Sequence, residues 1–84
     1  MVGYRIQIKR SAAKELEKIP GKDRDRIVEK IRSLAGDPRP PQAKKLSGEE
    51  KYRIRQGDYR ILFQIHEDVV TVVVVKIGHR RGCV

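Results

Sequence analysis

Residues 51–60 read Lys-Tyr-Arg-Ile-Arg-Gln-Gly-Asp-Tyr-Arg, and this stretch decides how the second half of the chain folds. Apolar and basic residues alternate before Gly57-Asp58, and the apolar alternation resumes after it. This pattern is typical of two β-strands joined by a two-residue turn. Such a turn sets the register, with Ile54 opposite Ile61 on one apolar face.

The same register predicts a cluster of arginines on the other face of the hairpin. Arg55 falls directly opposite Arg60, with Arg53 beside them. Like charges opposed across a strand pair are destabilising by roughly 0.2–1 kcal/mol. A polyanion bound on this face would offset the repulsion, so the pattern favours a role in binding RNA or DNA. Taken singly, arginines on a strand are more often solvated charges that deter aggregation.

The composition indicates one small basic domain over residues 1–84. Lys and Arg total 20 against 11 Asp and Glu, a formal net charge of +9, which favours nucleic acid or an acidic protein as partner. An anionic membrane is a weaker reading, because no apolar run is long enough to span a bilayer and there is no signal-peptide pattern. The single Cys83 fits a cytoplasmic location. His66 and His79 have no partners at ligand spacing, so we expect neither metal nor cofactor.

The hydrophobic pattern predicts an α+β fold. We expect an N-terminal strand, a two-helix hairpin, and a three- to four-stranded antiparallel sheet with both helices packed on one face. Ser11 is the expected N-cap of the first helix. The segment Lys44–Leu46 is either a short strand or an extended lead-in. The predicted elements are strand 2–9, helices 11–18 and 22–35, a proline-rich loop 36–43, and strands 51–56, 59–66 and 69–77.

A two-residue turn at Glu67-Asp68 would extend the same register into the last strand. It places Val70, Val72 and Val74 in the core. The opposite face then carries apolar residues beside the arginines, namely Leu62, Val73, Val75 and Ile77. An uncovered apolar patch usually has a partner.

The C-terminal tail, residues 78–84, brings further basic groups towards the hairpin. Arg60 is expected opposite Val75, so Arg80 follows a short distance along the chain. We expect one concavity that gathers Arg53, Arg55, Arg60, Arg80 and His79, flanked by Lys44 and Lys45. Guanidinium groups bind phosphoryl oxygens bidentately, which suits RNA cleavage by the ribose 2′-hydroxyl. His79 has the side-chain type suited to proton transfer at neutral pH. The simpler alternative for Arg80 and Arg81 is a frayed, soluble terminus.

Three segments together resemble the RelE/ParE toxin superfamily, on its RelE side. They are Tyr52-Arg53-Ile54-Arg55, Gly57-Asp58-Tyr59-Arg60 and Lys76-Ile77-Gly78-His79-Arg80-Arg81, preceded by Lys44-Lys45-Leu46-Ser47-Gly48. The resemblance covers nearly the whole chain. It implies a type II toxin that cleaves mRNA on the ribosome without a metal and is silenced by a RelB-like antitoxin.

The resemblance also implies roles for individual residues. Arg53 and Arg55 match a basic pair that contacts phosphate or assists proton transfer, Arg60 matches the transition-state arginine, and Arg80 matches a second arginine. RNA binding is expected at Lys44, Lys45, Lys51 and Arg81, and antitoxin binding at Leu62, Val73, Val75 and Ile77.

One departure from the family pattern keeps other functions open. Relatives commonly carry a tyrosine where this chain has Val84, so a slower endoribonuclease is one expectation. The alternatives are a ParE-like inhibitor of DNA gyrase without nuclease activity, and a decayed toxin that only binds its antitoxin or nucleic acid.

Overall fold

The computed structural model describes residues 3–46 and 51–79 and confirms the α+β architecture. The elements, in chain order, are β1 (Arg5–Ile8), α1 (Arg10–Glu17), α2 (Gly21–Ser33), β2 (Lys44–Lys45), β3 (Lys51–Gln56), β4 (Tyr59–His66), a 3₁₀ turn (Glu67–Val69) and β5 (Thr71–His79). The first helix begins one residue earlier than predicted. Lys9, in an extended conformation, precedes it without a side-chain cap, so Ser11 is not the N-cap.

The five strands form one mixed sheet in the order β1-β5-β4-β3-β2. The pairs from β2 to β5 are antiparallel, as expected. The N-terminal strand adds to this sheet at the far edge, where it runs parallel to β5. Arg5 donates its backbone N–H to the Val70 carbonyl, and Lys9 donates to that of Val74, both at 2.9 Å. The N-terminal strand therefore lies beside the last strand. The helical hairpin and the other three strands lie between them in the chain.

The predicted register of the β3–β4 hairpin is confirmed. Ile54 pairs with Ile61 and Arg55 pairs with Arg60. Gly57 has φ +61° and the following aspartate has no positive φ, which corresponds to a type II′ turn with glycine at its first central position. A turn of this hand matches the twist of the flanking strands, so the local sequence alone is enough to specify the pairing.

The predicted register of β4 with β5 is wrong, for two reasons. The connection is a 3₁₀ turn followed by Val70 at φ 46°, which moves the pairing by two residues relative to a two-residue turn. A bulge opposite Leu62 and Phe63 then inserts one more residue into β5. Arg60 consequently lies opposite Gly78 rather than Val75. Val70 is only partly buried and is not part of the core.

One hydrophobic cluster joins both helices to the same face of the sheet, which confirms that arrangement. The helices and the residues following them contribute Ala12, Ile19, Ile27, Ile31 and Leu34. The strands contribute Tyr52, Ile54, Ile61, Phe63, Ile65, Val72, Val74 and Ile77. Both described helices pack their apolar stripes against this face. The opposite face of the sheet therefore carries no helix of the described chain.

A polar network ties the proline-rich loop to one end of the sheet. The Arg39 guanidinium contacts a Glu67 carboxylate oxygen at 2.6 Å and donates from Nε to the Tyr52 hydroxyl at 3.0 Å. The Tyr4 hydroxyl donates to the other Glu67 carboxylate oxygen at 2.6 Å. The hydrogen bond from Tyr4 and then that from Arg39 hold the pKa of Glu67 below its usual value. The network fixes the segment that leads into β2.

Candidate nucleic-acid interface

The face of the sheet turned away from the helices is strongly basic. None of the described strands contains an aspartate or glutamate. We call this side of the sheet the basic face. The strand register assigns to it Lys44, Lys51, Arg53, Arg55, Arg60, Leu62, Gln64, Val73, Lys76 and Gly78, and the half-buried Val75 lies at the bulge between Val74 and Lys76. The acidic residues of the described chain lie on the helices, loops and turns instead. This separation produces a positive potential on one side of the sheet, which attracts polyanions.

Arg55 and Arg60 occupy the centre of the turn-proximal end of the basic face. They are a directly opposed pair on β3 and β4, and Gly78 of β5 lies on the other side of Arg60. Gly78 has no side chain, so β5 places no side chain beside Arg60 in this row of the sheet. The Nε of Arg60 is buried and has no hydrogen-bond partner among the described residues. Buried polar atoms are rarely left unpaired, so Arg60 has an unused hydrogen-bond donor at this point of the sheet.

A second row of the basic face extends the positive charge across four strands. Lys44 pairs with Arg53, Arg53 with Leu62, and Leu62 with Lys76. Lys51 lies in the next row, opposite Gln64. Lys76 was not among the predicted site residues. The bulge turns it outwards and exposes it.

The apolar part of the basic face is smaller than predicted. Leu62, Val73 and Val75 are only partly buried and do not belong to the core cluster. Ile77, predicted to lie beside them, is only 2 % exposed and belongs to the core on the helix side. The inserted residue in β5 reverses the alternation beyond Val75, so Ile77 is excluded from any partner-binding patch on this face.

Two other predicted site residues lie on the helix side of the sheet. His79 pairs with Tyr59, and the two rings meet edge to face with 4.8 Å between centroids. Their surroundings include Glu15 and Lys18 near the end of α1, not Arg60. Lys45 pairs with Tyr52, so it points to the opposite side from Lys44. The predicted convergence of His79 with the arginines is therefore wrong.

Arg80 and Arg81 lie outside the described residues, and their predicted positions stay predictions. The basic face brings together the remaining predicted cations, namely Lys44, Lys51, Arg53, Arg55 and Arg60. Within residues 3–46 and 51–79, no three histidines, cysteines or carboxylates lie close enough to hold a metal ion. The chemistry that the face offers is charge stabilisation of phosphate oxygens by guanidinium and ammonium groups.

Helix α2 and the loop before β2 add two residues that sequence reasoning missed. Lys30 and Gln42 line a cavity of about 380 Å³ together with Lys44, Arg53, Arg55, Gln56 and Gly57. Lys30 is one of several lysines and arginines on an exposed helical pattern, so nothing in the local sequence marks it. None of the described helices is long and apolar enough to cross a membrane.

Comparison with known proteins identifies relatives over most of the chain. The family described as "ParE toxin of type II toxin-antitoxin system, parDE" matches residues 6–82. The curated protein "Putative toxin RelE1" of Methanocaldococcus jannaschii is 28% identical over 83 residues, covering 94% of this chain and 92% of that protein.

Two solved structures share the fold closely. The RelE–RelB complex of Pyrococcus horikoshii OT3 gives a TM-score of 0.84 at 28% identity and covers 92% of this chain and 94% of its own. The RelBE2 complex of Mycobacterium tuberculosis gives a TM-score of 0.83 at 29% identity and covers 94% of this chain and 100% of its own.

Proposed function

The chain belongs to the ParE/RelE family of type II toxin–antitoxin toxins, and on that premise we propose that it is a ribosome-dependent mRNA endonuclease. The observation that carries the proposal is the opposed Arg55–Arg60 pair with the buried, unpartnered Nε of Arg60. One bound phosphate would offset the charge repulsion between the two arginines and would accept hydrogen bonds from their guanidinium groups. The curated relative and the solved structures are RelE proteins, which supports the nuclease branch.

The proposed reaction is attack by a ribose 2′-oxygen on the adjacent phosphorus. The new bond is 2′-O–P and the broken bond is P–O5′, so the products are a 2′,3′-cyclic phosphate and a 5′-hydroxyl. The proton of the 2′-hydroxyl leaves as the nucleophile attacks, and a proton reaches the departing O5′. Negative charge grows on the phosphoryl oxygens in the transition state, where Arg55 and Arg60 stabilise it. Arg53 contacts the neighbouring phosphate of the RNA backbone. Arg80 matches a second arginine of the family, and we expect it to contribute to the same charge stabilisation.

His79 has no part in this proposal. Its ring lies against Tyr59 on the helix side of the sheet, so it does not face a phosphate bound at Arg60. The contribution of the basic face is electrostatic stabilisation of the negative charge that grows on the phosphoryl oxygens.

Primer extension on ribosome-bound mRNA tests the proposal. Replacing Arg60 by alanine removes one donor from the developing charge and should lower the cleavage rate by on the order of 10²–10³. Arg24→Ala is the matched control, because Arg24 is an exposed arginine of α2 outside the basic face. Equal cleavage by the wild type and the Arg60→Ala variant would remove Arg60 from the mechanism.

We also propose a RelB-like antitoxin as the partner of the basic face. Both cited solved structures are complexes with an antitoxin. Leu62, Val73 and Val75 offer a half-exposed apolar strip flanked by cations. An acidic, amphipathic segment would cover the strip and neutralise the surrounding charge. Binding of such a segment and of RNA should be mutually exclusive in a competition assay.

The second candidate function is inhibition of DNA gyrase. One observation favours it: the family that matches residues 6–82 is described as a ParE toxin rather than as a RelE toxin. Assays of gyrase supercoiling and of in-vitro translation with the same protein preparation separate the two functions. Inhibited supercoiling with intact translation supports the ParE-like function and contradicts the nuclease.

A further inference from the structure

A cationic cavity lies at the free edge of β3, where β2 stops pairing with it. The two strands pair only at Arg53 and Tyr52, so β3 continues towards its turn without a described strand on its outer side. The space of about 380 Å³ left there is closed by Lys30 of α2 and by Gln42 of the preceding loop. This volume lies within the range of ligand-binding sites, roughly 300–1,000 Å³.

The charges around this cavity have one sign. Lys30, Lys44, Arg53 and Arg55 line it, and no acidic residue is among its described lining. None of these four cations forms an ion pair with a described residue. The Lys30 ammonium donates one hydrogen bond, at 3.1 Å, to the Gln42 side-chain oxygen, which orients the ammonium and leaves its other donors available.

A neighbouring hollow contains Arg26 and Glu29 together with Lys30. The acidic residue of the adjoining hollow does not line this cavity. Cations gathered without a counter-charge repel one another, and a bound anion removes that cost. The polar lining does not suit an apolar ligand.

We infer that this cavity is a second phosphate subsite, which holds an RNA backbone phosphate next to the one bound at Arg60. The inference rests on the proposed function and deepens it. Arg55 takes part in both sites, because it pairs with Arg60 on the basic face and lines the cavity from that side. An RNA strand therefore passes from the basic face over the free edge of β3 towards Lys30. A helix residue thus contributes to what is otherwise a site on the sheet.

The test measures the salt dependence of RNA binding, separately from cleavage. The probe is a 2′-O-methylated single-stranded RNA, which has no free 2′-hydroxyl for the attack and reports binding alone by fluorescence anisotropy. Each phosphate neutralised on a single strand contributes about 0.7 to the slope of log affinity against log salt. Lys30→Ala should lower the magnitude of that slope by up to about 0.7. Between 50 and 200 mM salt, its affinity should fall by about 2.5-fold less than that of the wild type.

Two further variants make the result specific. Lys30→Arg keeps the charge and should restore the wild-type slope. Lys22→Ala removes an equal charge from the exposed start of the same helix, outside this cavity, and should leave the slope unchanged. A second arm measures the salt dependence of binding to vacant ribosomes instead of to the RNA probe. If Lys30→Ala lowers the slope only in that arm, the bound phosphate belongs to ribosomal RNA and the subsite is retained.

The outcomes separate this inference from the proposed function. Equal slopes for the wild type and Lys30→Ala in both arms overturn the subsite, even if the wild type cleaves mRNA. A Lys30-dependent slope in a protein that cleaves nothing keeps the subsite and refutes the nuclease.

Discussion

Replacing Arg55 by glutamine should stabilise the folded protein while weakening its binding to RNA. Arg55 is exposed and lies directly opposite Arg60, whose side chain is partly buried. Glutamine keeps much of the side-chain length and removes the charge. The variant therefore relieves the repulsion between the two strands without opening a cavity in the core.

The expected gain in the free energy of unfolding follows from the opposed geometry. A like-charge pair at this position costs roughly 0.2–1 kcal/mol. In a chain of this size, that gain raises the melting temperature by roughly 1–8 °C. The gain should shrink in about 1 M salt, where the Debye length falls to about 3 Å. Arg5→Gln is the matched control, because Arg5 is an exposed arginine of the same sheet that pairs with the uncharged Thr71 rather than with another cation.

A double-mutant cycle isolates the interaction. Urea unfolding of the wild type, Arg55→Gln, Arg60→Gln and the double variant yields a coupling free energy between the two positions. We expect an unfavourable coupling of about 0.2–1 kcal/mol in low salt. A coupling of zero, or one that favours the wild-type pair, would refute the argument that this pair is retained for binding rather than for stability.

Two further predictions concern features that the tertiary structure decides. Ile77→Ala should lower the free energy of unfolding by about 2–5 kcal/mol, because Ile77 is a core residue, whereas Val75→Ala at a half-exposed position should cost about 1 kcal/mol or less. Urea unfolding measures both, and a larger cost at Val75 would contradict the bulge. Glu67→Gln should reduce the loss of stability in acid. Because the Tyr4 hydrogen bond lowers the folded-state pKa of Glu67, the stabilisation is present above the unfolded-state pKa and is lost as pH falls through the folded-state pKa. Thermal unfolding at pH 7 and pH 3 measures this difference, and an unchanged difference in the variant would show that Glu67 does not contribute.

The β3–β4 hairpin shows how far local sequence is informative. Its strands, its turn and the opposed Arg55–Arg60 pair all follow from alternation around Gly57 and from the geometry of a two-residue turn. Each of these is an interaction between residues close in the chain. The helices were predictable for the same reason, since their apolar spacing and the Pro20 between them are local signals.

The predictions were wrong where one inserted residue in a strand changes the face on which the following side chains lie. The run of valines in β5 is apolar on both faces, so its pattern does not reveal which residue is extra. Pairing with β4 places the bulge next to Val75 and turns Ile77 into the core. The same reversal sends His79 to the helix side, away from Arg60. A local periodicity cannot encode a register that depends on the partner strand.

From its sequence alone, this protein's basic charge, α+β class, arginine hairpin and family resemblance were determined, because each is written in composition or in short-range spacing. Tertiary structure alone decided that β1 lies parallel to β5, that Ile77 and His79 leave the basic face, and that Lys30 approaches Arg55. These features join residues far apart in the chain, and their energies depend on packing and pairing that no local pattern contains.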